Sequence, residues 1–392
     1  MIKSKRVLVA AVVASLVLAA CGDDDDDDAG TADEPETTEA EAGATTAPAA
    51  TTAPAGTEAP TGTTGAPADG SDVVVGLTFD LLGRGDQSFN DSAAAGIDRA
   101  KADFGVTVNE LTPTDASARA TDLQLQAENS DLVIGVGFSF RDGAVEVAPQ
   151  NPDVNFAIID DAMLDFDTGE PVGPNVAGLT FAEEQGSYLV GVAAALKSTT
   201  GKVGFIGGVS GIGLIEKFEA GYIAGAKSVN PDIEVVSQYI TEFPEFAGFE
   251  SPDRAREIAS AMYSEGADII YAAAGLSGSG MFQAAAETTE ASGTKVWGIG
   301  VDSDQYLTVD PAVQEYVLTS MIKRVDNAVY AVTEAHVNGT FTPGNVVYDL
   351  AADGVGYSTS GGFIDDIVPQ LDEAKAAIIA GDVVVPTDPT QA

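Results

Sequence analysis

Carboxylates and one phenylalanine carry most of the chemistry this sequence can do. Asp80 closes an apolar run, and Asp86-Gln87-Ser88-Phe89-Asn90 follows six residues later. Asp160 and Asp161 close a second run, and Asp302 and Asp304 a third. A carboxylate accepts from two vicinal donors at once, which suits sugar hydroxyls. Phe89, in a loop after a strand, is placed to stack on a flat ligand. Asn90 either caps the helix that follows or meets the ligand. Gly275-Leu276-Ser277-Gly278-Ser279-Gly280 fits neither phosphate-binding glycine pattern. It reads as a close approach of backbone to an uncharged ligand, or as a tight turn. Lys323-Arg324 stand out in a chain of 18 bases and 61 acids. Lys323 can donate to a ligand or pair with Asp302.

Catalytic machinery is thin. His336 is the one histidine and shares an apolar helix face with Ile322, Val325, Val329 and Val332. It reads as a packed histidine, which argues against a Ser-His-Asp triad. Zinc sites built from Cys and His are excluded by count. No catalytic residue, metal or cofactor is expected. The net charge of −43 repels nucleic acid and anionic headgroups.

The elements that position these residues alternate. Apolar runs of strand length recur at 73–79, 132–136, 154–159, 176–180, 202–206, 233–236, 268–271, 295–299, 317–320 and 345–348. Helical segments separate them near 91–104, 117–128, 183–198, 214–228, 253–265, 280–292 and 323–338. This predicts a doubly wound α/β architecture of two Rossmann-like lobes. The expected N-terminal lobe is 73–181 plus 320–342, and the C-terminal lobe is 182–319 plus 343–390. A cleft between the carboxyl ends of the strands would hold the ligand.

The start of the chain reads as an address. Lys3, Lys5 and Arg6 precede the apolar stretch Val7–Ala20, too short to span a bilayer, and Leu18-Ala19-Ala20 precede Cys21. Cys21 is the only cysteine and reads as the lipidation site of a lipoprotein signal, residues 1–21. Residues 22–72 carry Asp23–Asp28 and Thr/Ala/Pro repeats with almost no large apolar residue, which predicts an extended tether.

The stretches Asp86–Asn90, Asn151–Asp160, Asn175–Glu184, Gly201–Gly208, Lys217–Gly225, Gly266–Gly275, Gly300–Gln305 and Thr319–Asp326 resemble the basic membrane protein, or PnrA-like, family. These are substrate-binding lipoproteins of ABC importers with the type I periplasmic-binding-protein fold. The resemblance runs collinearly over about residues 73–385. It implies a lipid-anchored monomer outside the cell membrane, with no enzymatic activity. Such a receptor captures a purine nucleoside and passes it to permease subunits. It implies that Phe89 stacks on the base and Asn90 meets its edge. Asp80, Asp160 (with Asp161 beside it), Asp302, Lys323 and Gly275 complete the set. Leu276 departs from the pattern, where glycine is frequent. Tyr271, Phe246 and Phe282 are the candidates for a second stacking ring. A same-fold receptor for a sugar or signalling molecule is the alternative, and a secreted carboxylate nucleosidase a more distant one.

Overall fold

The computed structural model describes residues 69–392. The expectations for the signal segment, Cys21 and most of the tether lie outside the described residues. The fold begins slightly earlier than position 73. Gly70 is buried, and its N–H donates to Phe104 O at 2.8 Å.

The first five strands are β1 Val74–Thr78, β2 Thr107–Leu111, β3 Leu132–Gly135, β4 Asn155–Ile159 and β5 Val176–Phe181. The next five are β6 Lys202–Ser210, β7 Glu234–Glu242, β8 Ile269–Ala273, β9 Trp297–Asp302 and β10 Val317–Lys323. β11 Gly344–Tyr348 and β12 Val355–Tyr357 follow. The helices are α1 Phe89–Phe104, α2 Arg119–Ala127, α3 Arg141–Val147, α4 Glu183–Lys197 and α5 Leu214–Val229. The remaining ones are α6 Pro252–Ser264, α7 Gly278–Ser292, α8 Gln305–Thr308, α9 Val325–Val337 and α10 Val368–Ala380.

They form two six-stranded sheets of matching order, β2-β1-β3-β4-β5-β11 and β7-β6-β8-β9-β10-β12. All pairings are parallel except β10 with β12. β3, β6 and β8 are almost wholly buried, as continuous apolar runs between helix layers must be. Each sheet reverses its winding once, between β1 and β3 and between β6 and β8, so a ligand crevice opens there.

Two lobe boundaries differ from expectation. Residues 320–323 stay with the second sheet, because β10 pairs with β9 as far as Ile322 and with β12 through Lys323. β11, expected in the second lobe, pairs instead with β5 along its whole length. The chain therefore crosses between lobes at three places. β5 leads to α4, which packs on β10 and β12. β10 leads to α9, which packs on α1. β11 leads to β12.

Close helix approach is built from glycine. A Cβ on Gly191, Gly221 or Gly225 would run into the backbone of Tyr222, Glu184 or Tyr188 respectively, so α4 and α5 meet backbone to backbone. Gly96 does the same for α1 against α9. Gly221 and Gly225 of the Lys217–Gly225 stretch are thus packing residues. His336 lies half-buried on α9, its Nδ1 3.0 Å from Asn155 Nδ2, and burial lowers its pKa.

Candidate functional site

One cavity lies between the carboxyl edges of the two sheets, with a volume of about 90 Å³. All seven ligand residues expected from sequence line it: Asp80, Phe89, Asn90, Asp160, Gly275, Asp302 and Lys323.

The first lobe supplies a rigid corner. Asp86 is buried, and its carboxylate accepts from the N–H groups of Ser88, Asn90 and Asp91 and from Asn90 Nδ2. It satisfies the donors left open at the start of α1. Burial nevertheless raises its pKa. Asn90 is therefore not the cap. Its Oδ1 accepts from Asp80 N at 3.0 Å, so one amide hydrogen of Asn90 is uncommitted. Asp80 Oδ1 takes Arg119 Nη2 at 2.8 Å, leaving Oδ2 without a protein donor. Arg119, buried at the start of α2, lines the cavity and was not foreseen.

The centre is an enclosed charge cluster. Lys323 Nζ lies 2.7 Å from Asp160 Oδ1 and 3.2 Å from Glu183 Oε1. The three side chains are 2%, 5% and 1% exposed. The ammonium also sits 4.9, 5.2 and 5.6 Å from the ring centroids of Phe181, Phe89 and Phe218. Burial alone would lower the Lys323 pKa. The carboxylates of Asp160, Glu183 and Asp302 outweigh it and hold the ammonium charged. The expected Lys323–Asp302 pair does not form. Asp302 Oδ2 instead accepts from Ser88 Oγ of the other lobe at 2.5 Å. Burial pushes the Asp302 carboxyl up to about 6, and it raises that of Asp160 in the same way.

Asp161 turns away to Arg141 and Met163 N, so Asp160 is the aspartate of the cleft. Asp304 likewise turns to Ser360. Of the three candidate second rings, Phe246 lines the cavity. Tyr271 and Phe282 are fully buried core residues. Phe138, Phe218 and Phe249 also line it. Phe138 and Phe246 come from opposite lobes and stand 6.0 Å apart by ring centroid. Gly275 has φ +54°, and a Cβ there would lie 3.6 Å from Phe249 O. Gly280 instead packs α7 on Pro252 of α6. Among the described residues no cluster of His, Cys, Asp or Glu is arranged to hold a metal ion, and no helix is long and apolar enough to cross a membrane.

Two matched lobes, three crossings and a lined cleft define a solute-binding receptor of the type I periplasmic-binding fold. Residues 73–388 match the PnrA-like family of ABC transporter substrate-binding proteins, and the chain belongs to that family. It is 37% identical over 336 residues to the CD4+ T-cell-stimulating antigen of Listeria monocytogenes, covering 81% of this chain and 89% of that protein. It is 35% identical over 334 residues to the ABC transporter nucleoside-binding protein BmpA of Lactococcus lactis, covering 81% and 90%. A solute-binding protein of an ABC transporter system from Aeropyrum pernix K1 superposes with TM-score 0.69 at 29% identity, over 81% of this chain and 94% of that one. The protein is therefore a substrate-binding component of an ABC transporter and not an enzyme.

Proposed function

We propose that the protein captures a purine nucleoside between its lobes and presents it, closed, to the permease. The observation that carries this reading is the pairing of Phe89 with buried carboxylates in one cavity. The ring offers a face for a base, and Asp160 and Asp302 offer acceptors for ribose hydroxyls. Asp80 Oδ2 and the free amide hydrogen of Asn90 meet the base edge, and Lys323 and the Gly275 backbone complete the contacts. The related Lactococcus protein, named as nucleoside-binding, supports the same ligand class. A ligand touching both lobes favours the closed arrangement by population shift. Cys21 carries the lipid, residues 22–68 form the tether, and the receptor acts as a monomer.

Calorimetry after unfolding and refolding to strip bound ligand tests this, with guanosine, inosine, adenosine, uridine, ribose and glucose. Purine nucleosides should give heat. Silence with all of them while a sugar binds would replace the reading with a sugar receptor. Cys21→Ser should release the protein from the membrane fraction.

A further inference from the structure

Lys323 has two ion-pair partners, and they belong to different lobes. Asp160 follows β4 in the first lobe. Glu183 opens α4, which packs on β10, the strand that ends in Lys323. Glu183 is also two residues past the end of β5, at the first crossing between lobes, and Lys323 stands at the second. When the lobes part, the Lys323–Asp160 contact must break, whereas Lys323–Glu183 can persist. Glu183 is 1% exposed, so its charge has no solvent to fall back on.

We propose that Glu183 is a positioning residue for ligand capture: it keeps the Lys323 ammonium seated at the hinge as the lobes move, so that Asp160 closes onto a charge already in place. This rests on the reading of the cleft as one that closes on a hydroxylated ligand. Glu183 has a second role by proximity. Its charge disfavours ionisation of both Asp160 and Asp302, the two carboxylates offered to the ligand. The other groups facing the cluster are Lys217 on α5, 3.4 Å from Glu183 Oε2, Glu184 beside it on α4, and Asp86 ahead of α1, which acts on Asp302. Lys217 is one-third exposed. Lys323 is thus the buried cation that Glu183 holds.

The test compares the native full chain with Glu183→Gln and Glu183→Asp. Guanosine affinity is measured from pH 4.5 to 8, and the aspartate carboxyl carbons of the ligand-free protein are titrated by NMR. Glu183→Gln should weaken guanosine about tenfold at pH 7, the scale of one lost charged contact. It should also move the acid limb of affinity, and the carboxyl titrations, to lower pH. Glu183→Asp should keep most of both. Unchanged affinity in Glu183→Gln overturns the proposal. So does a loss of affinity accompanied by a lower melting temperature with limb and titrations unmoved, which marks support of the fold alone. If the native chain binds no nucleoside, the ligand assignment fails separately. The carboxyl titrations then decide, and unmoved midpoints overturn the role of Glu183.

Discussion

Asp160 and Asp302 occupy the same position in the two sheets, and each is held by a residue of the opposite lobe. Both stand at the carboxyl end of the fourth strand in its sheet order. Both have left-handed backbone, φ +67° and +63°, which non-glycine residues adopt at a cost of about 1–3 kcal/mol. Lys323 of the second lobe holds Asp160, and Ser88 of the first holds Asp302. The strain aims a buried carboxylate into the cleft from each side.

The two carboxylates make binding depend on pH. Ligand hydroxyls need the ionised form as acceptor, so affinity should rise from pH 5 to 7 with a midpoint near the value of about 6 that burial gives Asp302. Stability runs the other way. A carboxyl whose folded pKa is raised above 3.8 contributes stability in full below that value and loses it as pH rises through its folded pKa. Glu184, pushed up to about 7 by burial, extends the window upward. Thermal denaturation of the ligand-free protein from pH 4 to 7 checks this: Asp302→Asn should flatten part of the decline.

Phe89→Ala should weaken purine nucleosides by about 1–3 kcal/mol, the scale of base–aromatic stacking. Phe89 is only partly buried, so the melting temperature should stay near native. Calorimetry paired with a thermal scan decides it. A large thermal loss with affinity intact would reassign Phe89 to the core.

Phe138 and Phe246 meet across the cleft. Removing either ring should speed release more than it slows capture, because the contact exists only when the lobes are together. Stopped-flow dissociation of a bound nucleoside from Phe138→Ala should quicken several-fold, with association within about twofold of native.

Gly225→Val tests the seam between α4 and α5. The added side chain meets Tyr188 backbone, which cannot move like a flexible side chain. Overpacking of this kind costs about 1–3 kcal/mol. Urea denaturation should report the loss, while guanosine affinity of the folded fraction stays close to native.

The cleft was legible because its residues sit at the ends of apolar runs. Asp80, Asp160 and Asp302 are marked by the strands they close, and Phe89 and Asn90 by the loop before α1. Arg119, Phe138, Phe218 and Glu183 were not, because each opens or lies within a helical turn and resembles an ordinary helix residue. β2, with its Thr-Val-Asn-Glu-Leu pattern, lacks the apolar run of a covered strand because it is a sheet edge. The crossings were misplaced for a different reason. An apolar run does not say which sheet a strand joins, and β11 proves to be an edge strand with Val346 and Val347 exposed, whereas β10 is buried within the second sheet. Lys323 stands at the true crossing, at the end of β10, and there it pairs with Asp160 and Glu183 rather than with Asp302.

The entry of the chain through Gly70 fixes an orientation. Gly70 lies against Phe104, Val106 and Val337, at the ends of elements far from the cleft. β1 then runs five residues, about 17 Å at strand rise, before the chain reaches the cleft at Asp80. Entry and cleft thus lie at opposite ends of β1, so the residues that secure the start of the fold are separate from those that line the cavity.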